Sequence, residues 1–284
     1  MQPRGWRFID LALLGRNTAG TCALALLRII LYPVATAAVI GAFMGVVRVP
    51  PPARAFLGIL LQFLPIIVGG WAVGRAVESS HRRPFASLIA PDLRIDWRRL
   101  AIGLGVELAI LGGQLVLVHV LTGWTWKFAI SGGRPLFVLV ILLIPLQAAS
   151  EELVFRGYMT QELGRIVRSR LLIAVAVGLA FGLLHLNKYG PLTVAYFFAV
   201  SLVFSLVSLR DERLELAIGG HSAMNLFAFV AANSGLVGAA IGGIGGNALV
   251  FNWAAIGVLM VNGALFYGLT RLLVRLFCEP RALR

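Results

Sequence analysis

The chain is dominated by apolar runs of a length that fits a lipid bilayer. Eight can be marked, at about Ala23–Val47, Ala55–Val77, Ala101–Leu121, Pro135–Ile166, Leu171–Leu186, Pro191–Leu209, Leu214–Ala232 and Leu249–Leu273. Each approaches or exceeds the ~20 residues that carry a helix across the hydrocarbon. Lipid offers no hydrogen bonds to a backbone, so runs of this kind must satisfy their own amides as helices. The composition agrees, with 59% hydrophobic residues and a mean hydropathy of +0.90, against roughly 45–50% apolar residues in soluble domains. The expected fold class is all-α, a polytopic transmembrane helical bundle of about eight spans with any active site inside it.

Charge orients the spans. The formal net charge is +13, but in such a chain it is read as the basic flanks of membrane segments facing an anionic leaflet, and no nucleic-acid partner is implied. Arg48, Arg54, Lys127, Arg134 and Lys188 fall in alternate loops, and nearly all other basic residues fall on the opposite side. That bias places both termini in the cytoplasm and the protein in the cell membrane. Residues 1–20 mix arginines with Trp6, Phe8, Ile9 and Leu11 and have no uninterrupted apolar core, so an interfacial segment is expected rather than a removable signal. Residues 21–284 are expected to form one transmembrane domain. Trp124 and Trp126 suit the headgroup belt. Cys22 and Cys278 sit at opposite ends and suggest neither a disulfide framework nor a zinc cluster. The glycine-rich run 235–246 follows no strand, so tight packing or a re-entrant turn explains it better than dinucleotide binding.

Within this apolar frame one stretch stands out, Glu151-Glu152-Leu153-Val154-Phe155-Arg156. Charged side chains at membrane depth cost roughly 2.5–3.5 kcal/mol each on insertion scales, so these three should face the protein and find partners. Glu152 and Arg156 are four apart on one helical face and can pair. Glu151 lies on a neighbouring face, above Gln147. Two carboxylates sharing one arginine leave one acid without a full counter-ion, a setting that suits general acid–base work. On this hexapeptide alone, catalysis and a structural ion pair are equally good readings.

More polar residues occupy other spans. Phe181-x-x-x-His185 closes the fifth, with Asn187 near enough to support the histidine, and His221-x-x-x-Asn225 lies in the seventh. His221 and Asn225 share a helical face, and Gly219 and Gly220 before them would let another helix approach closely. Counted from the nearest cytoplasmic arginine at ~1.5 Å per residue, Glu151 and His185 lie about 21–23 Å along their helices and Asn225 about 18 Å. The fourth, fifth and seventh spans are therefore expected as neighbours around a polar cavity. Glu107 in the third span reads as a structural or supporting acid, and His119 as a headgroup contact. The four aspartates, Asp10, Asp92, Asp96 and Asp211, fall in segments expected to face water, which excludes an intramembrane pair of catalytic aspartates. Neither His-Glu-x-x-His nor a G-x-S-x-G elbow occurs.

Glu151-Glu152-x-x-x-Arg156, Phe181-x-x-x-His185 and His221-x-x-x-Asn225, in that order and each in a span, resemble the signature of the CPBP family. These are the type II CAAX prenyl proteases and bacteriocin-processing, Abi-like enzymes, polytopic intramembrane endopeptidases. The text Gln147 to Tyr158, including Gly157, resembles the family's first motif, and the likeness covers about residues 135–230. The resemblance implies hydrolysis of a peptide bond in a membrane-associated protein or peptide. It implies Glu151 as the base that activates water, His185 as a holder of that water, and His221 with Asn225 as the oxyanion site. Glu152 and Arg156 would orient rather than react. One carboxylate and two imidazoles, Glu151, His185 and His221, would also suit zinc or another divalent metal, while a desolvated carboxylate with an imidazole can activate water without one. The competing readings are a non-catalytic membrane scaffold or immunity protein of the same family and a transporter or haem protein. The retained glutamates and Asn225 argue against haem, and the lack of inverted repeats argues against a transporter.

Overall fold

The structure, a computed structural model, describes residues 7–123, 134–186, 191–233, 244–245, 248–249 and 253–279. Trp124, Trp126, Lys127, Asn187 and Lys188 lie outside the described residues, as does most of the glycine-rich run. Each of the eight apolar runs is helical over most of its described residues. They are α1 (Ala19–Val46), α2 (Pro51–Arg75), α3 (Trp97–Thr122), α4 (Arg134–Glu152) with its extension α5 (Thr160–Gly164), α6 (Arg170–Leu184), α7 (Pro191–Asp211), α8 (Glu215–Asn233) and α9 (Trp253–Phe277). At the end of the glycine-rich run, Ile244–Gly245 pairs with Ala248–Leu249 just beyond it in a two-residue antiparallel ladder. The fold is that of a polytopic helical membrane protein.

Helix ends follow local chemistry. Thr18, Asp96 and Ser169 cap α1, α3 and α6 by accepting from backbone amides two or three residues on, which satisfies donors that a helix start leaves open. Pro51 opens α2, where its missing amide costs nothing. Gly123 closes α3 at φ +64°, a left-handed position that glycine adopts without strain.

Six of the described helical segments are long and apolar enough to cross a membrane: 19–46, 53–80, 97–122, 135–164, 191–211 and 253–277. The fifth and seventh expected spans are helices but do not meet that standard. α6 has only 15 residues, and α8 carries Gly219-Gly220-His221-Ser222 and Asn225, which lower its hydropathy. These two helices carry the motif histidines, His185 at the end of α6 and His221 within α8.

The chain divides into two compact units. The first comprises Met1–Ile95, Gly132–Ile166 and Glu212–Leu214. In it α1 packs on α2 and α2 on α4, while α5 packs on a short 3₁₀ turn at Phe8–Leu14. Phe8, Ile9, Leu11 and Ala12 of that turn are buried in protein. Close approach depends on glycines. A Cβ on Gly70 would lie 2.4 Å from the Ser150 hydroxyl, and one on Gly164 would lie 2.4 Å from the Ile9 carbonyl oxygen.

The second unit comprises Asp96–Ser131, Val167–Asp211 and Glu215–Arg284. α3 packs along α8, α6 along α7, and α9 on α3 and α7. Their core includes Val106, Ile110, Val200, Phe204, Leu216 and Phe266. The expected role of Gly219 is realised here, because a Cβ there would stand 2.2 Å from the Leu100 carbonyl oxygen. Gly103 has the reciprocal contact, 2.2 Å from the Leu216 carbonyl oxygen.

Overpacking of this kind typically costs about 1–3 kcal/mol. Gly219→Ala is expected to lower the thermal unfolding midpoint in detergent. Gly105→Ala, which meets nothing within 4 Å, should be neutral or stabilising through its better helix propensity. Equal behaviour of the two variants would contradict the close α3–α8 contact.

Candidate active site

In the first unit α4 does not end at the glutamates. It widens into a π-helical stretch, Leu153–Met159, before resuming as α5. Such wide turns recur at functional positions, and the Thr160 hydroxyl donates to the carbonyl of Phe155 at 3.0 Å as the wide turn closes. Arg156 Nη1 donates to Glu152 Oε1 at 2.9 Å, and both side chains are 0% exposed. The pairing expected from the four-residue spacing is therefore the one formed. Glu151 points from a different face and keeps part of its surface accessible.

Sequence reasoning missed the network that anchors the far end of this helix. Segment 78–100 reads as a charged loop, yet His81 and Arg83 are buried. His81 Nδ1 lies 2.9 Å from the Arg16 carbonyl oxygen, and its Nε2 lies 3.0 Å from the Tyr158 hydroxyl. A carbonyl can only accept, so Nδ1 carries the proton and Nε2 accepts from Tyr158. Arg83 donates to Gln161 Oε1, and Gln161 Nε2 donates to the Ser87 carbonyl at 2.8 Å. Burial pushes the Arg83 guanidinium down to about 10, with Glu162 opposing the shift. Glu162 also binds Arg165 at 2.6 Å, and Arg165 reaches the Asn17 carbonyl. The partners are 64 to 78 positions apart for His81 and Arg83, so no local pattern announces them. One expectation about the aspartates also changes. The Asp211 side chain is only 7% exposed and is paired with Arg99.

In the second unit His185 terminates α6. Its Nδ1 donates to the Phe181 carbonyl at 2.8 Å, leaving Nε2 as the lone-pair nitrogen of the neutral ring. The ring stacks on Phe197, with centroids 3.9 Å apart. His221 is 2% exposed and stacks on Phe204 at 5.5 Å. Phe181 meets both histidines, at 4.5 Å from His185 and 6.3 Å from His221. The sequence predicts side-by-side packing of the fifth and seventh spans, but α6 lies chiefly on α7 and α8 on α3, and the two histidines are drawn together by the Phe181 ring. Asn225 lies one turn beyond His221 on α8 and is partly exposed.

Thus Glu151, Glu152 and Arg156 belong to the first unit, and His185, His221 and Asn225 to the second. Among the described residues no group of three or more His, Cys, Asp or Glu side chains is placed to hold a metal ion. The suggested set Glu151, His185 and His221 is divided between the two units, and the chemistry proposed for these residues routes no step through a metal.

The ion pair carries a stability prediction. Removing one member of a buried pair typically costs about 3–5 kcal/mol, whereas replacing both by apolar groups can be neutral. Arg156→Met should destabilise strongly, and adding Glu152→Met should recover much of the loss. Chemical unfolding of both variants in detergent checks this; a double variant no more stable than the single one would contradict it.

Residues 133–227 match the family model described as type II CAAX prenyl endopeptidase, Rce1-like. The matched stretch contains all three motifs. The chain is also similar to the uncharacterized protein YyaK of Bacillus subtilis (strain 168), with 28% identity over 173 residues. That similarity covers 58% of this chain and 57% of the relative, so the chain spans a little over half of the relative's length. Over residues 133–227 the chain is thus similar to the Rce1-like type II CAAX prenyl endopeptidases.

Proposed function

We propose that the chain is an intramembrane endopeptidase that hydrolyses a peptide bond of a membrane-associated protein or peptide. The observation that carries the reading is the family match over residues 133–227, a stretch that contains the three motifs. The buried Glu152–Arg156 pair supports a division of labour, because it commits one carboxylate to structure.

In this reading Glu151 takes a proton from a water molecule held with the help of His185, whose Nε2 lone pair is kept available by the Phe181 carbonyl. The resulting hydroxide attacks the peptide carbonyl carbon. His221 and Asn225, one turn apart on α8, donate to the oxyanion of the tetrahedral intermediate. Glu151 then returns the proton to the leaving nitrogen as the C–N bond breaks.

The protein is proposed to lie in the cell membrane with both termini in the cytoplasm, on the strength of the arginine bias of segments 78–100 and 165–170. Function can be tested without a defined substrate. Membrane peptide fragments are compared between cells making the wild type and cells making Glu151→Gln at the same level. Fragments present only with the wild type are expected, and identical fragment sets would refute the hydrolase reading. Against a fragment so found, His221→Ala and Asn225→Ala should each slow cleavage by ~10²–10³-fold, the usual cost of an oxyanion donor.

A further inference from the structure

The second unit buries carboxyl groups that the proposed chemistry does not use, Glu107, Asp211 and Glu215 among them. Glu107 lies near the middle of α3 and is 6% exposed. Among the described residues no cation and no hydrogen-bond donor of the protein acts on it. A bare carboxylate in such surroundings is strongly disfavoured, whereas a neutral acid needs only hydrogen-bond partners. Glu107 borders a cavity of about 20 Å³. The other polar side chain at its wall is Asn262 of α9, and the remaining walls are apolar, Phe204 and Met224 among them.

Asn262 is 8% exposed, and its Oδ1 accepts from Gln114 Nε2 at 2.6 Å. That bond engages the amide oxygen, so the donor this side chain still offers is its Nδ2 amide. The volume suits one water molecule, which needs about 10–15 Å³ and two to four polar partners. A metal cation suits it poorly, because Asn262 Oδ1 is already engaged and hard cations take six or more oxygens.

We propose that this cavity is a water site, in which one water molecule accepts from Asn262 Nδ2 and bonds to Glu107, itself held as the neutral acid. The elements around it bring no opposing charge. α7 places the Tyr196 phenol within electrostatic reach, while α8 contributes Met224 and α9 contributes Leu259 and Asn262. The water site lies one side chain behind a motif residue, because Phe204, part of its wall, stacks on His221. The inference does not rest on the hydrolase reading.

Infrared spectroscopy of the full chain in lipid nanodiscs tests it. At neutral pH a carbonyl band of a protonated carboxylic acid is expected in the wild type and absent in Glu107→Gln. In Asn262→Leu the band should move to higher frequency as the bridging water is lost. A band unchanged in Glu107→Gln, or an unshifted band in Asn262→Leu, overturns the proposal. Should either variant fail to fold, a structure of the unaltered chain at water-resolving resolution decides. One density within hydrogen-bond distance of both Glu107 and Asn262 Nδ2 supports the site. No density there, or one with the coordination shell of a cation, overturns it.

Discussion

A guanidinium and a carboxylate taken entirely out of water, Arg156 and Glu152, are held 2.9 Å apart in the motif helix. Neither could remain charged there alone, so each depends on the other and on the helix that sets their four-residue spacing. The widened turn Leu153–Met159 runs directly through this pair. It shifts the facing of residues after Glu152 relative to a regular α-helix, and it ends in the segment that Tyr158 and Gln161 tie to His81 and Arg83. The helix is thus fixed at both ends of the wide turn. Upstream, the tight contact of Gly70 with Ser150 sits immediately before Glu151. Downstream, the polar network clamps the exit. Glu151 is placed between these two anchored points.

The second unit positions its side chains by other means. Its helices approach until backbone meets backbone, at Gly103 with Leu216 and at Gly219 with Leu100. This is how packing proceeds where lipid is as apolar as the side chains and contact depends on small residues. The histidines are then fixed by aromatic rings rather than by charges. Phe181 supplies its carbonyl to His185 and its ring edge to His221, which gives a physical reason for a phenylalanine four positions before the histidine. Phe197 and Phe204 complete the two stacks.

Much of this is legible in the residues. Apolar run length locates all eight helices, the spacing of Glu152 and Arg156 identifies the pair, and the glycines before His221 mark a close helix approach. The rest is not legible, for identifiable reasons. The wide turn has no sequence signature, since Leu153 to Met159 would serve equally well in an α-helix. His81 and Arg83 sit among exposed charges and find partners far along the chain, so local polarity misplaces them in water. α6 looks like an ordinary span because apolar content does not mark where a helix ends, and its helix stops after 15 residues. Asp211 illustrates the same point, being a terminal charge that tertiary pairing with Arg99 removes from solvent.

The central claim is that two adjacent glutamates have separate duties, Glu152 in holding the fold and Glu151 in chemistry. Its most direct test is the thermal unfolding of Glu151→Gln and Glu152→Gln beside the wild type, in one detergent at one pH. The account predicts a wild-type midpoint for Glu151→Gln and a markedly lower one for Glu152→Gln, whose arginine is left buried without its carboxylate. A midpoint that falls for Glu151→Gln while Glu152→Gln unfolds like the wild type would contradict it.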